Sequence, residues 1–409
     1  MIERPKREST QRFTRRRWLA AAAATGAVAV AGAAVYPAVA NGPVSAELAS
    51  GRSLRLLGNA TLRYRMAFKG STVGGLSGLD WDPVDDLWYA ISDDDHARFY
   101  TLRIALSATG LGTPELLDVV TMKQADGRPY PTHGAGRPRF DPESIRFRPE
   151  TRTLLWTSEG SQQRGIDPFV REMTLDGRHL REFRLPANFK ADPTNRGGPR
   201  HNGALEGLAL TPDGRGAWAS MENPLFEDGP EAGVDDPGAP CRFTLFDLTS
   251  GRPVRQIAYQ PEKIARVPIP GLAFADNGVS EILMIDQHRM LVLERGFSIG
   301  AGVTLRLFMI DVRDGSDTLA LARLRRSAIK IAPKTLLADF DHVGLPRLDN
   351  TEGMAWGPPI ASAHARAGQR PGQRTLLFVS DDNFNPLQIT QFAAFAFTDP
   401  ADFQPSHKA

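Results

Sequence analysis

The sequence predicts an all-β protein, a β-propeller with five clear four-stranded repeats. Three observations predict it. Five segments share one grammar: a strand opening on an acidic or small polar residue, a turn, then an apolar strand closed by an acid. The strand-like runs are short and separated by Pro, Asp-Gly and Ser-Gly turns, which are hairpin signals. Amphipathic helical periodicity is nearly absent after residue 45.

The repeats begin at Ser77, Glu143, Glu206, Ser280 and Glu352. The first runs Ser77-Gly78-Leu79-Asp80-Trp81, then Leu87 to Asp93. The second runs Glu143-Ser144-Ile145-Arg146-Phe147, then Leu154 to Glu159. The third runs Glu206-Gly207-Leu208-Ala209-Leu210, a Pro212-Asp213-Gly214 turn, then Ala217 to Glu222. The fourth pairs Ser280-Glu281-Ile282-Leu283-Met284 with Met290 to Glu294, and the fifth pairs Glu352-Gly353-Met354-Ala355-Trp356 with Leu376 to Asp381. Two further strand-like runs follow each pair, as in Val170 to Leu175 with Leu180 to Leu185, and Arg242 to Asp247 with Val254 to Tyr259. The last repeat is one strand short, and Leu54 to Phe68 can supply it and close the ring. The stretches 260–279 and 325–349 are long enough to hide a sixth, degenerate blade. Trp81, Trp88, Trp156, Trp218 and Trp356 fall within the inner strand pairs, where packing between blades is expected.

In such a ring the start of the innermost strand and the end of its neighbour share one rim. The starts hold Glu143, Glu206, Glu352 and, one position displaced, Glu281. The ends hold Asp93, Glu159, Glu222, Glu294 and Asp381, with Asp94, Asp95 and Asp382 beside them. Carboxylates crowded at one channel mouth raise each other's pKa or need cations between them. Hard carboxylate oxygens are Ca²⁺ ligands. Asp93, Asp94, Glu159, Glu222, Glu281, Glu294, Asp381 and Asp382 are the candidate metal ligands. The competing reading of each acid is structural, with the carboxylate accepting backbone N–H groups from the next blade. The rim loops also carry His96, His133, His201 and Arg98, Arg137, Arg139, Arg164, Arg196 and Arg200. These histidines read either as surface residues or as general acids or bases; His201 is the one carried forward. Arginines suit a phosphate by bidentate geometry, and they equally neutralise nearby acids.

The chain has 409 residues, 49 Lys+Arg and 47 Asp+Glu, for a net charge of +2. The surplus of base lies in the first 40 residues. Beyond them the chain is mildly acidic, which argues against a nucleic-acid binder. Paired arginines in Thr14-Arg15-Arg16-Arg17-Trp18-Leu19 precede an Ala-rich apolar run ending Ala38-Val39-Ala40. That pattern resembles a twin-arginine export signal. The expected layout is a cleaved signal at 1–40, a flexible mature N-terminus at 41–52, the propeller at 53–400 and a tail at 401–409. A transmembrane anchor is the competing reading of the apolar run, opposed by Gly26, Gly32 and Pro37. The expected partners are the twin-arginine export machinery and a small anionic ester, in a periplasmic or secreted monomer without stable membrane insertion. A single cysteine, Cys241, excludes an intrachain disulfide, a Cys-based zinc site and an iron–sulfur cluster. No Gly-x-Ser-x-Gly elbow, Walker loop or HExxH motif occurs, and no organic cofactor is expected.

The sequence resembles the family called "esterase-like activity of phytase", a phytase-like propeller domain of exported bacterial proteins. The resemblance spans about residues 70–395. It rests on Ser77-Gly78-Leu79, Asp141-Pro142-Glu143-Ser144-Ile145, Asn202-Gly203-Ala204-Leu205-Glu206-Gly207-Leu208, Leu293-Glu294-Arg295 and Asn350-Thr351-Glu352-Gly353-Met354. It implies hydrolysis of an ester, with phosphate esters among the candidates. Calcium-dependent propeller phytases place acidic rim residues on Ca²⁺ and basic residues on phosphate. From their places on the rim, Glu143, Glu206, Glu352 and His201 are the candidate catalytic residues. Arg98, Arg137, Arg139, Arg196, Arg200 and Arg295 are the candidate substrate-binding residues. Metal-assisted hydrolysis by water is the leading reading. A non-enzymatic Ca²⁺-binding propeller that holds an envelope ligand or protein, and a lactonase-like propeller enzyme, are the alternatives.

Overall fold

The computed structural model describes residues 53–94, 96–131, 140–270, 274–360 and 373–402. The expected signal segment and mature N-terminus, with Asp95, His133, Arg137 and Arg139, lie outside the described residues.

Five four-stranded antiparallel sheets form the blades of a β-propeller, and no α-helix occurs among the described residues. Blade I is Leu76–Asp82, Leu87–Ser92, Arg98–Arg103 and Glu115–Thr121. Blade II is Pro142–Arg148, Thr153–Ser158, Phe169–Thr174 and His179–Glu182. Blade III is Leu205–Leu210, Gly216–Met221, Cys241–Asp247 and Arg252–Tyr259. Blade IV is Ala275–Met284, Arg289–Ser298, Gly302–Asp311 and Lys334–Asp339. Blade V is Thr351–Ile360, Gln373–Ser380 and Gln391–Phe397, completed by the N-terminal strand Leu54–Thr61. That strand pairs antiparallel with Gln391–Phe397, from Leu54 opposite Phe397 to Thr61 opposite Gln391. The innermost strands of successive blades touch in turn, and the last of them touches the first.

Neither long connection holds a sixth blade. Gln260–Pro270 carries no strand, and Lys334–Asp339 is the outer strand of blade IV. Phe68 does not join the closing strand either. Met66–Phe68 pairs instead with Ser71–Val73 in a small hairpin.

Burial explains the composition of each strand. In blade II the two strands nearest the axis are buried along their whole length, and their buried polar groups are paired, as Arg148 is with Glu172 of the third strand at 2.5 Å. The outermost strand, His179–Glu182, alternates half-buried and exposed positions. The apolar core is divided among the wedges between blades. Rings bridge these wedges, as Tyr89 and Phe147 do at 5.6 Å between blades I and II, and Phe183 and Phe246 at 6.0 Å between II and III. Trp88, Trp156 and Trp218 are buried as expected, whereas Trp81 and Trp356 keep partial exposure. Trp356 donates its indole N–H to Met284 O across the blade IV–V wedge at 2.8 Å.

Each innermost strand begins with a register shift. The shift falls between Leu76 and Gly78, Pro142 and Ile145, Leu205 and Leu208, Val279 and Glu281, and Thr351 and Gly353. The residues taken into these bulges are Ser77, Glu143, Glu206, Ser280 and Glu352, each with the following residue in blades II and III. A bulge re-aims a side chain out of the regular pleat. The five repeat starts therefore stand in equivalent places at one end of the channel.

One residue further in, the channel is pinched to backbone thickness. A Cβ on Gly78 would lie 2.8 Å from Ser144 Cα, and one on Gly353 would lie 3.0 Å from Gly78 Cα. Glycine at these positions lets neighbouring blades approach this closely.

Candidate active site at the acidic mouth

The mouth is built from two tiers. The bulge tier holds Ser77, Glu143, Glu206, Ser280 and Glu352. The second tier comes from the ends of the neighbouring strands, and register identifies its members. Ser92, Ser158, Met221, Glu294 and Ser380 pair with the last residue before each bulge. The next residues are Asp93, Glu159, Glu222, Arg295 and Asp381. Blade IV thus contributes a cation where the other four blades contribute an acid.

Two overlapping carboxylate sets form in this mouth. Ligand oxygens of Asp141, Glu143 and Glu159 lie within 4.8 Å of one another, and so do those of Glu159, Glu206 and Glu222. All five residues are buried, and Glu159 belongs to both sets. Burial pushes the Glu143 carboxyl well above its ordinary range. The charges of Glu206, Asp141, Glu159 and Glu352 push it further the same way. Arg295 is buried on the blade IV side of this cluster. It reaches Glu222 Oε1 at 3.0 Å and Glu352 Oε1 at 3.6 Å, and donates to Asn350 Oδ1 at 2.8 Å. Asn350 in turn donates to Glu352 Oε1 at 2.9 Å.

The structure thus brings Glu143, Glu206, Glu352, Glu159 and Glu222 together. Glu159 also stitches blades, since its Oε1 accepts from the Ala204 N–H at 2.6 Å. His201 is half-buried in the turn before the blade III inner strand, between Arg200 and Gly203, which form an isolated bridge. Asp93 is buried at the second tier of blade I. Asp381 Oδ1 accepts from the Asn383 N–H at 2.7 Å. Asp382 Oδ1 accepts from Gly75 N–H at 3.0 Å and Phe384 N–H at 3.1 Å, tying blade V to blade I.

Two acids are placed elsewhere. Glu281 lies one residue below the bulge tier and is fully buried in an ion pair with Arg146. Glu294 stands one residue ahead of the second-tier position and turns into the wedge between blades III and IV. There it accepts from Tyr259 Oη and Lys334 Nζ, both at 2.6 Å, and from Asn277 Nδ2 and Glu262 N–H, both at 2.9 Å. The blade IV hairpin is one residue shorter than those of blades I to III, which moves Arg295 into the acid's place.

Most of the described arginines are already engaged. Arg98 is buried, donating to Asp94 at 2.5 Å, to Tyr100 Oη at 2.7 Å and to Thr72 O at 2.7 Å. Arg200 donates to Pro224 O at 2.9 Å and Gly229 O at 2.5 Å. Arg196 is exposed on the loop before blade III. Asp94 forms an ion pair with Arg98 at 2.5 Å.

Asp141 and Asn350 did not stand out as single residues. Both occupy the position opposite a second-tier residue: Glu159 N–H donates to Asp141 O at 3.1 Å, and Asp381 N–H to Asn350 O at 2.8 Å. The signal was their place two residues before a repeat-start glutamate. Cys241 is buried in blade III and its thiol lies 3.2 Å from Glu222 O, with burial pushing its pKa up, which suits a packing residue.

The family model described as phytase-like, esterase-like activity of phytase, matches residues 71–384. No curated protein matches the chain. Among solved structures, the chain is similar to the hydrazine synthase of Kuenenia stuttgartiensis, with TM-score 0.35 and 11% identity over 78% of this chain and 81% of that one. It is similar to the Dos1 propeller, with TM-score 0.32 and 8% identity over 78% and 68%. It is also similar to the catalytic domain of the GH62 α-L-arabinofuranosidase of Coprinopsis cinerea, with TM-score 0.40 and 11% identity over 85% and 98%. Likenesses at these TM-scores bear on neither fold nor chemistry.

Proposed function

The chain belongs to the phytase-like family, whose model covers residues 71–384, and from this we propose that it is a hydrolase of phosphate or related esters, working with a divalent cation at the acidic mouth. The observation that carries the reading is the pair of carboxylate sets sharing Glu159. The donor set fits a hard cation such as Ca²⁺: every candidate ligand is a carboxylate oxygen. Burial first, and then the neighbouring carboxylates, raise the Glu143 pKa, and a cation would relieve the second effect. Asp141, Glu159, Glu206 and Glu222 would hold it, with Glu143 beside them. When bound, such an ion polarises an ester oxygen and lowers the pKa of an adjacent water.

The chain's own groups then have distinct tasks. Without a cation Glu143 holds its proton to higher pH than an ordinary glutamate, and a cation beside it would favour the proton's release, so it suits moving a proton at the reacting oxygen. Arg295 fixes the Glu222 and Glu352 carboxylates by direct contact. Arg98, Arg200 and Arg295 are committed to protein acceptors, so among the described candidates attraction of an anionic substrate falls to the cation and to the exposed Arg196. His201 is kept as a candidate proton carrier at the edge of the mouth.

The test is hydrolysis of p-nitrophenyl phosphate before and after EDTA, and after Ca²⁺ is restored. Loss and recovery are expected. Full activity in EDTA removes the metal from the reading, and silence with every divalent ion removes the hydrolase. The proposal extends to location: the segment at residues 1–40 directs export by the twin-arginine route. Replacing Arg15, Arg16 and Arg17 with lysine should leave the protein in the cytoplasmic fraction.

A further inference from the structure

Ser77 and Ser280 occupy the same bulge position as Glu352. In blades I, IV and V one extra residue lies between the flanking pairs. The two hydroxyls differ in what they meet. Ser280 Oγ is directed at Leu293 O, 3.5 Å away. Ser77 is 3% exposed, and its Oγ has no hydrogen-bond partner within the protein. A buried hydroxyl left unmatched costs free energy, so the arrangement persists where something outside the chain completes it. Blade I stands between blade V, carrying Glu352, and blade II, carrying Glu143. By register the Ser77 bulge stands at the level of Glu143 and Glu352 in the two neighbouring blades. Among these carboxylates a hydroxyl is the neutral donor, able to meet a substrate oxygen without adding charge.

We propose that Ser77 contacts the substrate, its Oγ–H donating a hydrogen bond to a phosphoryl oxygen of the bound ester. A phosphoryl group offers several oxygens, so one can accept from Ser77 while another faces a cation held by Glu159 and its neighbours. This inference rests on the proposed ester hydrolysis for its kinetic test, and on phosphate binding independently of it.

Ser77→Ala, Ser77→Thr and Ser280→Ala are compared with the parent chain in Ca²⁺, using p-nitrophenyl phosphate turnover and calorimetric titration with inorganic phosphate. Ser77→Ala should lower kcat/KM and phosphate affinity by about ten- to a hundredfold, the worth of a hydrogen bond to a charged acceptor. Its melting temperature should stay level or rise, because an unmatched hydroxyl is removed. Ser77→Thr should recover much of the loss, and Ser280→Ala, whose Oγ already meets Leu293 O, should lower phosphate affinity less than Ser77→Ala does. Equal phosphate affinity in the parent and Ser77→Ala, or no phosphate binding by the parent, overturns the assignment. A parent that binds phosphate yet hydrolyses no ester overturns only the hydrolase reading, and the phosphate titration still decides Ser77.

Discussion

Arg146 and Glu281 meet at 2.8 Å on the propeller axis, and between them they touch all five blades. Arg146 donates to Leu79 O of blade I and Ile145 O of blade II. It also donates to Ile282 O of blade IV and Met354 O of blade V. Glu281 accepts from the Leu208 N–H of blade III at 2.9 Å and from Ser144 Oγ at 2.8 Å. A single ion pair thus pins the ring at its centre, directly beneath the acidic mouth.

Removing one partner leaves a buried charge without its counterion. Glu281→Gln or Arg146→Met should each destabilise the protein by about 3–5 kcal/mol in urea unfolding. The double variant should cost less than the two single costs added together, because the uncompensated charge is gone. Additive costs would mean the two groups act independently.

Burial lifts the Glu281 carboxyl to about 7, against the opposing pull of Arg146, and Glu143 moves in the same direction. In the unfolded chain both lose their protons near 4.5. Between that pH and about 7 the folded state binds more protons than the unfolded one. These two groups therefore make stability fall as pH rises through that window, by up to about 3 kcal/mol for Glu281. Urea midpoints at pH 5 and pH 7.5 in EDTA measure the slope, and Glu143→Gln should flatten part of it. A slope unchanged in that variant would sink the assignment.

Calcium should reverse that trend. Its binding requires deprotonated carboxylates, so the rise in melting temperature on adding Ca²⁺ should grow with pH. Glu159→Gln touches both carboxylate sets and should weaken Ca²⁺ at least tenfold by calorimetry. Glu294→Gln should leave Ca²⁺ affinity alone and lower the melting temperature, because its partners are Tyr259 and Lys334.

Arg295 competes with any cation for Glu222 and Glu352. Arg295→Gln should lower stability in EDTA yet strengthen Ca²⁺ binding several-fold, since one positive charge leaves the mouth. Weaker binding instead would show that Arg295 chiefly organises the ligands.

Asp228 and Arg242 form a second buried pair, with Oδ1 and Oδ2 receiving the guanidinium at 2.8 and 2.7 Å. Asp228 also accepts from the Leu324 N–H at 2.7 Å, anchoring the long connection after Asp311. Asp228→Ala should cost about 3–5 kcal/mol, read as a lowered urea midpoint with the mouth chemistry intact.

The repeat grammar made the five blades and their shared mouth readable, because apolar runs and turns recur with the blade. It placed Glu143, Glu206, Glu352, Glu159 and Glu222 on one rim. Glu281 and Glu294 misled, because both sit one step out of register in blade IV. A glutamate looks the same in sequence whether a bulge aims it at the mouth or a shortened hairpin turns it into a wedge. Asp141 was hidden for a related reason: its role depends on facing Glu159 across a strand pair, which spacing alone does not show. The committed arginines were likewise invisible, since carbonyl acceptors such as Thr72 O and Pro224 O leave no mark on the sequence.

The pairing of Leu54–Thr61 with Gln391–Phe397 makes the ring a clasp whose two halves lie at opposite ends of the propeller chain. Synthesis delivers the first half of the clasp early and the second only after blades I to IV. Until then the outer strand Leu54–Thr61 has nothing to pair with, and the wedge that Phe392, Ala394 and Ala396 fill stands open to water. Loss of Gln391–Phe397 should therefore yield not a smaller propeller but a broken ring with an apolar seam at each lip. That state is suited to sticking to another copy rather than to catalysis.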